Sequence, residues 1–241
     1  MITRHQYMAY FKKEYVLETN SATILSKILS SDSDIVADFI RKKACMTVAL
    51  YRYKNMLFLY YEALDVACSP HDMTSVLNET PIPYNLFPAL TEYLEVMPVK
   101  EAYVKWLPTQ HIYHNAIPDT AKNWRRQGKK ERIGRIAYLL PDKIMSYLYY
   151  HKELLDEGLF EGERYLSIGL YDTVLFTYSE SPRIMTHLNS ESNEQSTVIA
   201  EWRAQNPKSH FDHDFSGEGN FVDLEVLLSL GWEEIFDEQY I

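Results

Sequence analysis

The segment Leu57-Phe58-Leu59-Tyr60-Tyr61-Glu62 returns in altered form as Leu175-Phe176-Thr177-Tyr178-Ser179-Glu180. Each closes a stretch patterned as a hairpin. Cys45–Tyr53 and Met56–Ala63 flank Lys54-Asn55, while Tyr165–Tyr171 and Val174–Ser179 form the second pair. All four are rich in β-branched and aromatic residues, as strands joined by short turns are. Leu50-Tyr51 aligns with Leu170-Tyr171 in this reading. A repeat of this kind narrows the fold to two diverged copies of one small α+β unit.

The elements around each hairpin agree. The first copy reads as an irregular strand in residues 7–16 and a helix capped by Ser21, with Ile24, Leu25, Ile28 and Leu29 at helical spacing. Ser30-Ser31-Asp32-Ser33-Asp34 is expected to interrupt that helix and recap another through Ile35, Val36, Phe39 and Ile40. After the hairpin, a helix from Tyr84 or Pro88 to Met97 is expected to turn Leu86, Leu90, Leu94 and Met97 inward. Pro98 closes it, and His111–Ile117 is the last strand. The second copy reads as strand Gly134–Leu140, helix Asp142–Glu157 after Pro141, the hairpin, helix Ser196–Gln205 and strand Phe221–Leu228.

Both orders are βαββαβ, the ferredoxin-like arrangement. The expected fold class is α+β, with tandem repeats at residues 1–118 and 133–241. Their half-open sheets can pack face to face. Residues 119–132 carry Lys122, Arg125, Arg126, Lys129, Lys130 and Arg132 around Trp124 and Gly128. With no phosphate-loop pattern there, the run reads as a solvated linker rather than a phosphate-binding strip.

The net charge of −10 argues against nucleic-acid and anionic-membrane partners, which demand a basic face. No run is long and apolar enough for a transmembrane helix, and Met1-Ile2-Thr3-Arg4-His5-Gln6 lacks a signal-peptide core. Cys45 and Cys68 have no metal-type spacing and read as free thiols, so a cytoplasmic protein is expected. Phosphate loops, dinucleotide fingerprints and nucleophile elbows are absent, which disfavours nucleotide-binding and α/β-hydrolase chemistry.

Histidine pairs are the remaining chemistry. On a regular strand His111 and His114 point to opposite faces and cannot share a metal. His210-Phe211-Asp212-His213-Asp214, with its two aspartates, is the better metal candidate, but it reads more simply as a solvated polar loop, so no metal centre is expected. Tyr147 and His151 are one helical turn apart, and an imidazole with a phenol beside it suits general acid–base work. The same spacing also fits simple packing against the sheet.

Tyr147-Leu148-Tyr149-Tyr150-His151, Leu175-Phe176, Trp202, Asn206-Pro207 and Leu224-Glu225-Val226 together resemble the L-rhamnose mutarotase family over residues 133–230. The first copy shares only its hairpin and later features such as Met97-Pro98, without Tyr-x-x-x-His. The resemblance implies an intramolecular dimeric α+β barrel with one competent pocket, acting on the anomeric centre of a free monosaccharide. It implies His151 as the proton-transfer group and Tyr147 as hydroxyl donor or orienter. Trp202, Tyr178 and Arg135 would bind substrate, with no metal or organic cofactor, in a monomer or homodimer. A non-catalytic sugar-binding barrel and a structural pseudo-dimer whose pocket has closed remain open beside it.

Overall fold

A computed structural model describes residues 1–16, 21–64, 80–99, 102–118, 124–125, 130–188, 196–217 and 219–236 of the chain. The first elements are β1 (Ile2–Tyr10), α1 (Lys13–Val16), α2 (Ser21–Arg41), β2 (Cys45–Tyr53), β3 (Met56–Leu64), α3 (Pro83–Leu86) and α4 (Pro88–Thr91). Four short strands follow: β4 (Met97–Val99), β5 (Ala102–Val104), β6 (Leu107–Pro108) and β7 (Gln110–His114). Next come β8 (Glu131–Tyr138), α5 (Ile144–Glu157), β9 (Glu161–Glu163), β10 (Ser167–Tyr171), β11 (Val174–Ser181) and β12 (Met185–His187). The last are α6 (Thr197–Ala204), α7 (His213–Ser216), β13 (Val222–Asp223), β14 (Glu225–Gly231) and α8 (Trp232–Ile235).

These form a mixed α+β protein of two compact units. Unit 1 holds residues 1–108, 118–129 and 225–241, and unit 2 holds 109–117 and 130–224. Unit 1 has the antiparallel sheet β14-β2-β3-β1-β6, and unit 2 the antiparallel sheet β13-β8-β11-β10-β7. The cores of the two sheets correspond, β2-β3-β1 to β10-β11-β8. Their outer strands are handed over in sequence. The chain leaves β6 on the edge of β1 and enters β7 on the edge of β10. It leaves β13 on the edge of β8 and enters β14 on the edge of β2. Among the described residues no helix is long and apolar enough to cross a membrane.

In unit 1, β2 and β3 are buried along nearly their whole length, so they read as continuous apolar runs rather than alternations. Each hairpin turns through two residues, the first of them left-handed: Lys54 at φ 55° and Asp172 at φ 53°. The ladder pairs Tyr53 with Met56 and Tyr171 with Val174, so Tyr53 rather than Tyr51 is the equivalent of Tyr171. Measured from those turns, Tyr60 matches Tyr178 and Glu62 matches Glu180. In each unit the tyrosine hydroxyl donates to the glutamate two residues on, at 2.9 Å for Tyr60 and 2.5 Å for Tyr178. Arg4 stands opposite Glu62 on β1, and Arg132 opposite Glu180 on β8.

Several elements depart from the sequence reading. The first strand is Ile2–Tyr10 rather than residues 7–16. The serine–aspartate run does not interrupt α2, because Asp32 turns inward. Its carboxylate accepts the Ala89 and Leu90 amides at 3.1 and 2.8 Å, so its polarity is used against α4 rather than against its own helix. The expected Tyr84–Met97 helix is split into α3 and α4. Phe87 precedes Pro88 and is held at φ −133°, ψ 58°, since the proline ring excludes the α conformation before it. Leu86, Leu90 and Leu94 are nevertheless buried. Two residues of the run read as a linker, Trp124 and Arg125, are buried in unit 1. Lys122, Arg126, Gly128, Lys129 and Cys68 lie outside the described residues.

Candidate functional site

The site is built on one face of α5. Pro141 and Asp142 open a 3₁₀ turn that leads into the helix, and Gly158 closes it in the left-handed conformation at φ 70°. Tyr147, His151 and Leu154 fall at i, i+4 and i+7, and all three are buried. That face packs on the side of the unit 2 sheet bearing Ala137, Leu139, Ile168, Leu170 and Leu175.

Helix α6 is locked to the end of α5 through Glu157. Its carboxylate accepts the Thr197 amide at 2.8 Å, the Thr197 hydroxyl at 3.0 Å and the Ser196 hydroxyl. Ser196 Oγ in turn accepts the Ile199 amide, capping α6. Burial opposes ionisation of Glu157, but the bonds from Ser196 and Thr197 outweigh it and hold the carboxyl below its usual range. The joint sets Trp202 against α5.

Tyr147, His151 and Trp202 therefore converge. The Tyr147 and His151 rings lie face to face at 3.9 Å between centroids, and Trp202 meets them edge-on at 5.8 and 5.6 Å. Tyr113 presents its edge to His151 at 5.4 Å. His210 packs on the far ring system of the group, 4.7 Å from Trp202, with its Nε2 3.0 Å from Ser146 Oγ. The Tyr147 carbonyl accepts from His151 Nδ1 at 2.8 Å. Because a carbonyl can only accept, the proton of the neutral ring is on Nδ1 and the lone pair is on Nε2.

The electrostatics follow from the apolar surroundings. Burial lowers the His151 pKa to about 4, against the Tyr147 carbonyl, which raises it, while His210 lowers it further. Burial pushes the Tyr147 and Tyr113 phenols up. His151 is thus uncharged at neutral pH, and both phenols stay protonated.

The other two expected substrate-binding residues are elsewhere. Arg135 binds Asp223 at 2.7 Å across β8 and β13. Tyr178 lies an odd number of residues from Leu175 on β11, so it points to the opposite face of the sheet from His151. Sequence reading missed Tyr113 and His210. Tyr113 arrives on β7, from the first half of the chain, and no local pattern links it to Tyr147. His210 was read as part of a polar loop, yet it is buried. Asp212 caps α7 through the Asp214 amide, and His213 Nε2 donates to the Lys208 carbonyl. No group of three metal-ligating side chains occurs among the described residues.

No protein-family model matches the chain, and no curated protein does. Two solved structures align with nearly all of it. One is a candidate monooxygenase from Fusobacterium nucleatum subsp. nucleatum, 12% identical, with a TM-score of 0.42 over 95% of this chain and 94% of that one. The other is an anthrone oxidase-like protein, 10% identical, with a TM-score of 0.36 over 98% and 95%. The expected membership of the L-rhamnose mutarotase family is corrected by these comparisons, since neither structure is a mutarotase. The isomerase and carbohydrate-metabolism assignments fall with it. The site has a physical counterpart to that correction: aromatic rings surround His151, whereas sugar hydroxyls require converging polar groups. At these values neither structure lends its activity to this chain.

Proposed function

We propose that unit 2 is an acid–base site for a small aromatic molecule carrying a weakly acidic proton, with His151 Nε2 as the acceptor. The observation that carries this reading is the fixed tautomer of a neutral histidine boxed by aromatic rings. The Tyr147 carbonyl holds the proton on Nδ1, so the second nitrogen keeps its lone pair at neutral pH. Tyr147 is the positioning residue, through its carbonyl and its ring. Trp202 offers an aromatic wall of the kind that favours a planar partner.

The step is a proton transfer and nothing more. A phenolic O–H or a C–H beside an aryl carbonyl gives its proton to Nε2, leaving a delocalised anion and an imidazolium. The proton then returns to the substrate or passes to solvent. A base this weak suits acids whose anion is spread over an aromatic system.

The same proposal treats each unit as one ferredoxin-like repeat of a tandem pair. Its supports are the matched strand order, the two equivalent turns and the repeated Tyr-x-Glu bond.

Hydrogen–deuterium exchange at the acidic carbon of a panel of aryl ketones, followed by proton NMR in D2O, tests the chemistry. Wild type is expected to accelerate exchange of at least one ketone, and His151→Gln to lose about a hundredfold of that acceleration. Exchange by the folded variant at the wild-type rate overturns the role of His151. No acceleration of any ketone by wild type overturns the reaction.

A further inference from the structure

The second histidine pair occupies another face of unit 2. On β7 and β10 the register runs Ser167 to His114, Ile168 to Tyr113, then Gly169 to His111, so Ile112 is an extra residue in β7. That β-bulge changes the parity of the strand. Ser167 and Gly169 are two residues apart and share a face of β10, so their partners His114 and His111 share one too. The expectation that these imidazoles diverge is corrected by this one residue. His111 Nε2 and His114 Nδ1 are 2.9 Å apart on an exposed edge.

We propose that His111 and His114 form a chelating site for a borderline divalent transition metal, nickel(II) or copper(II). Two nitrogens bound at about 2.0–2.1 Å to one ion at a right angle stand roughly 2.9 Å from each other. The observed separation is therefore the one that cis ligands of a square-planar or octahedral ion require. In the metal-free pair one ring donates its N–H to the other. Binding shifts the donating ring's proton to its far nitrogen, where the accepting ring already carries its own, and the two rings re-aim by about 45° so that both lone pairs meet the ion. Ser167 Oγ lies 3.5 Å from His111 Nδ1, on the side where that ring's proton must then reside. Water completes the coordination, since no third protein ligand joins the pair among the described residues.

Such a site is distinct from His151, which faces the helices across the sheet. Titration of the full, untagged chain with nickel chloride and with copper chloride tests it, read by calorimetry and by electron paramagnetic resonance of the copper form. One ion per chain is expected, with superhyperfine splitting from two nitrogens. His111→Gln and His114→Gln are each expected to remove one nitrogen from that pattern and to weaken binding by about tenfold or more. A readout without substitutions comes from imidazole NMR, in which nickel should broaden His111 and His114 first. Wild type that takes up no ion overturns the proposal. So does a double variant that binds as wild type does, or broadening centred on another histidine.

Discussion

Glu62 and Arg125 meet at two points, a hydrogen bond from Nε to Oε2 at 2.9 Å and a charge contact of 2.6 Å between Nη2 and Oε1, with both side chains almost wholly out of solvent. A carboxylate at that depth needs a fixed counter-charge, because its own solvation has been lost. Tyr60 supplies a hydroxyl to the same group, and Arg4 stands opposite on β1.

Removing the arginine leaves the carboxylate buried without its principal partner. Arg125→Met is expected to cost about 3–5 kcal/mol of stability, read as the shift in a urea unfolding midpoint. Arg125→Lys, which keeps the charge but not the two-point geometry, is expected to cost less. A loss for Arg125→Met no larger than about 1 kcal/mol would mean the pair is solvated.

His151 makes the protein sensitive to acid. Its folded pKa of about 4 lies below the ordinary 6.5, so between those values the unfolded chain binds the extra proton. Stability is therefore complete above about pH 6.5 and is lost as pH falls toward 4, by about 3 kcal/mol in all. His210 is also lowered, chiefly by burial, and contributes with the same sign. Urea midpoints from pH 7.5 to 4.5 check this: His151→Phe, which cannot charge, is expected to show the shallower decline.

Asp32 is expected to hold the start of α4. Asp32→Ala strips acceptors from the Ala89 and Leu90 amides and is expected to cost about 1–3 kcal/mol. Amide hydrogen exchange at Ala89 and Leu90 should quicken ahead of exchange elsewhere in unit 1. Unchanged exchange there would show that the carboxylate is not their acceptor in solution.

Gly162 leaves no room for a side chain. A Cβ there would come within 2.7 Å of Asn115 Oδ1 and 3.2 Å of Phe160. Asn115 cannot retreat freely, because it accepts from the Tyr113 hydroxyl and donates to the Thr186 carbonyl. Gly162→Ala is expected to destabilise by about 1–3 kcal/mol in thermal unfolding. A neutral result would show that the Asn115 network yields.

Local patterns were legible in the sequence. The hairpins, α5 and the helical pair Tyr147–His151 all depend on neighbours in the chain. What escaped depends on distance or on a single residue. Nothing near Arg125 marks it as the counter-charge of Glu62, and nothing near Tyr113 marks it as a neighbour of His151. The bulge at Ile112 has no glycine or proline to announce it, yet it decides where His111 points. Asp32 looked like a helix stop because its hydrogen-bonding partners, the Ala89 and Leu90 amides, are remote in sequence. The aromatic box was misjudged in character, since helical spacing shows that Tyr147 and His151 adjoin but not that aromatic rings enclose them.

The handing over of outer strands has a consequence for synthesis. The strand that covers the outer edge of β2, β14, follows it by about 170 residues in the chain. At about 5–20 residues per second, that edge waits roughly ten to thirty seconds for its neighbour. β3 can cover the other edge at once, so a nascent hairpin forms with one row of amides and carbonyls open to any passing strand. β10 has no such interval, because β7 precedes it and is already waiting. The first half of the chain is the one that must be shielded while it is being made.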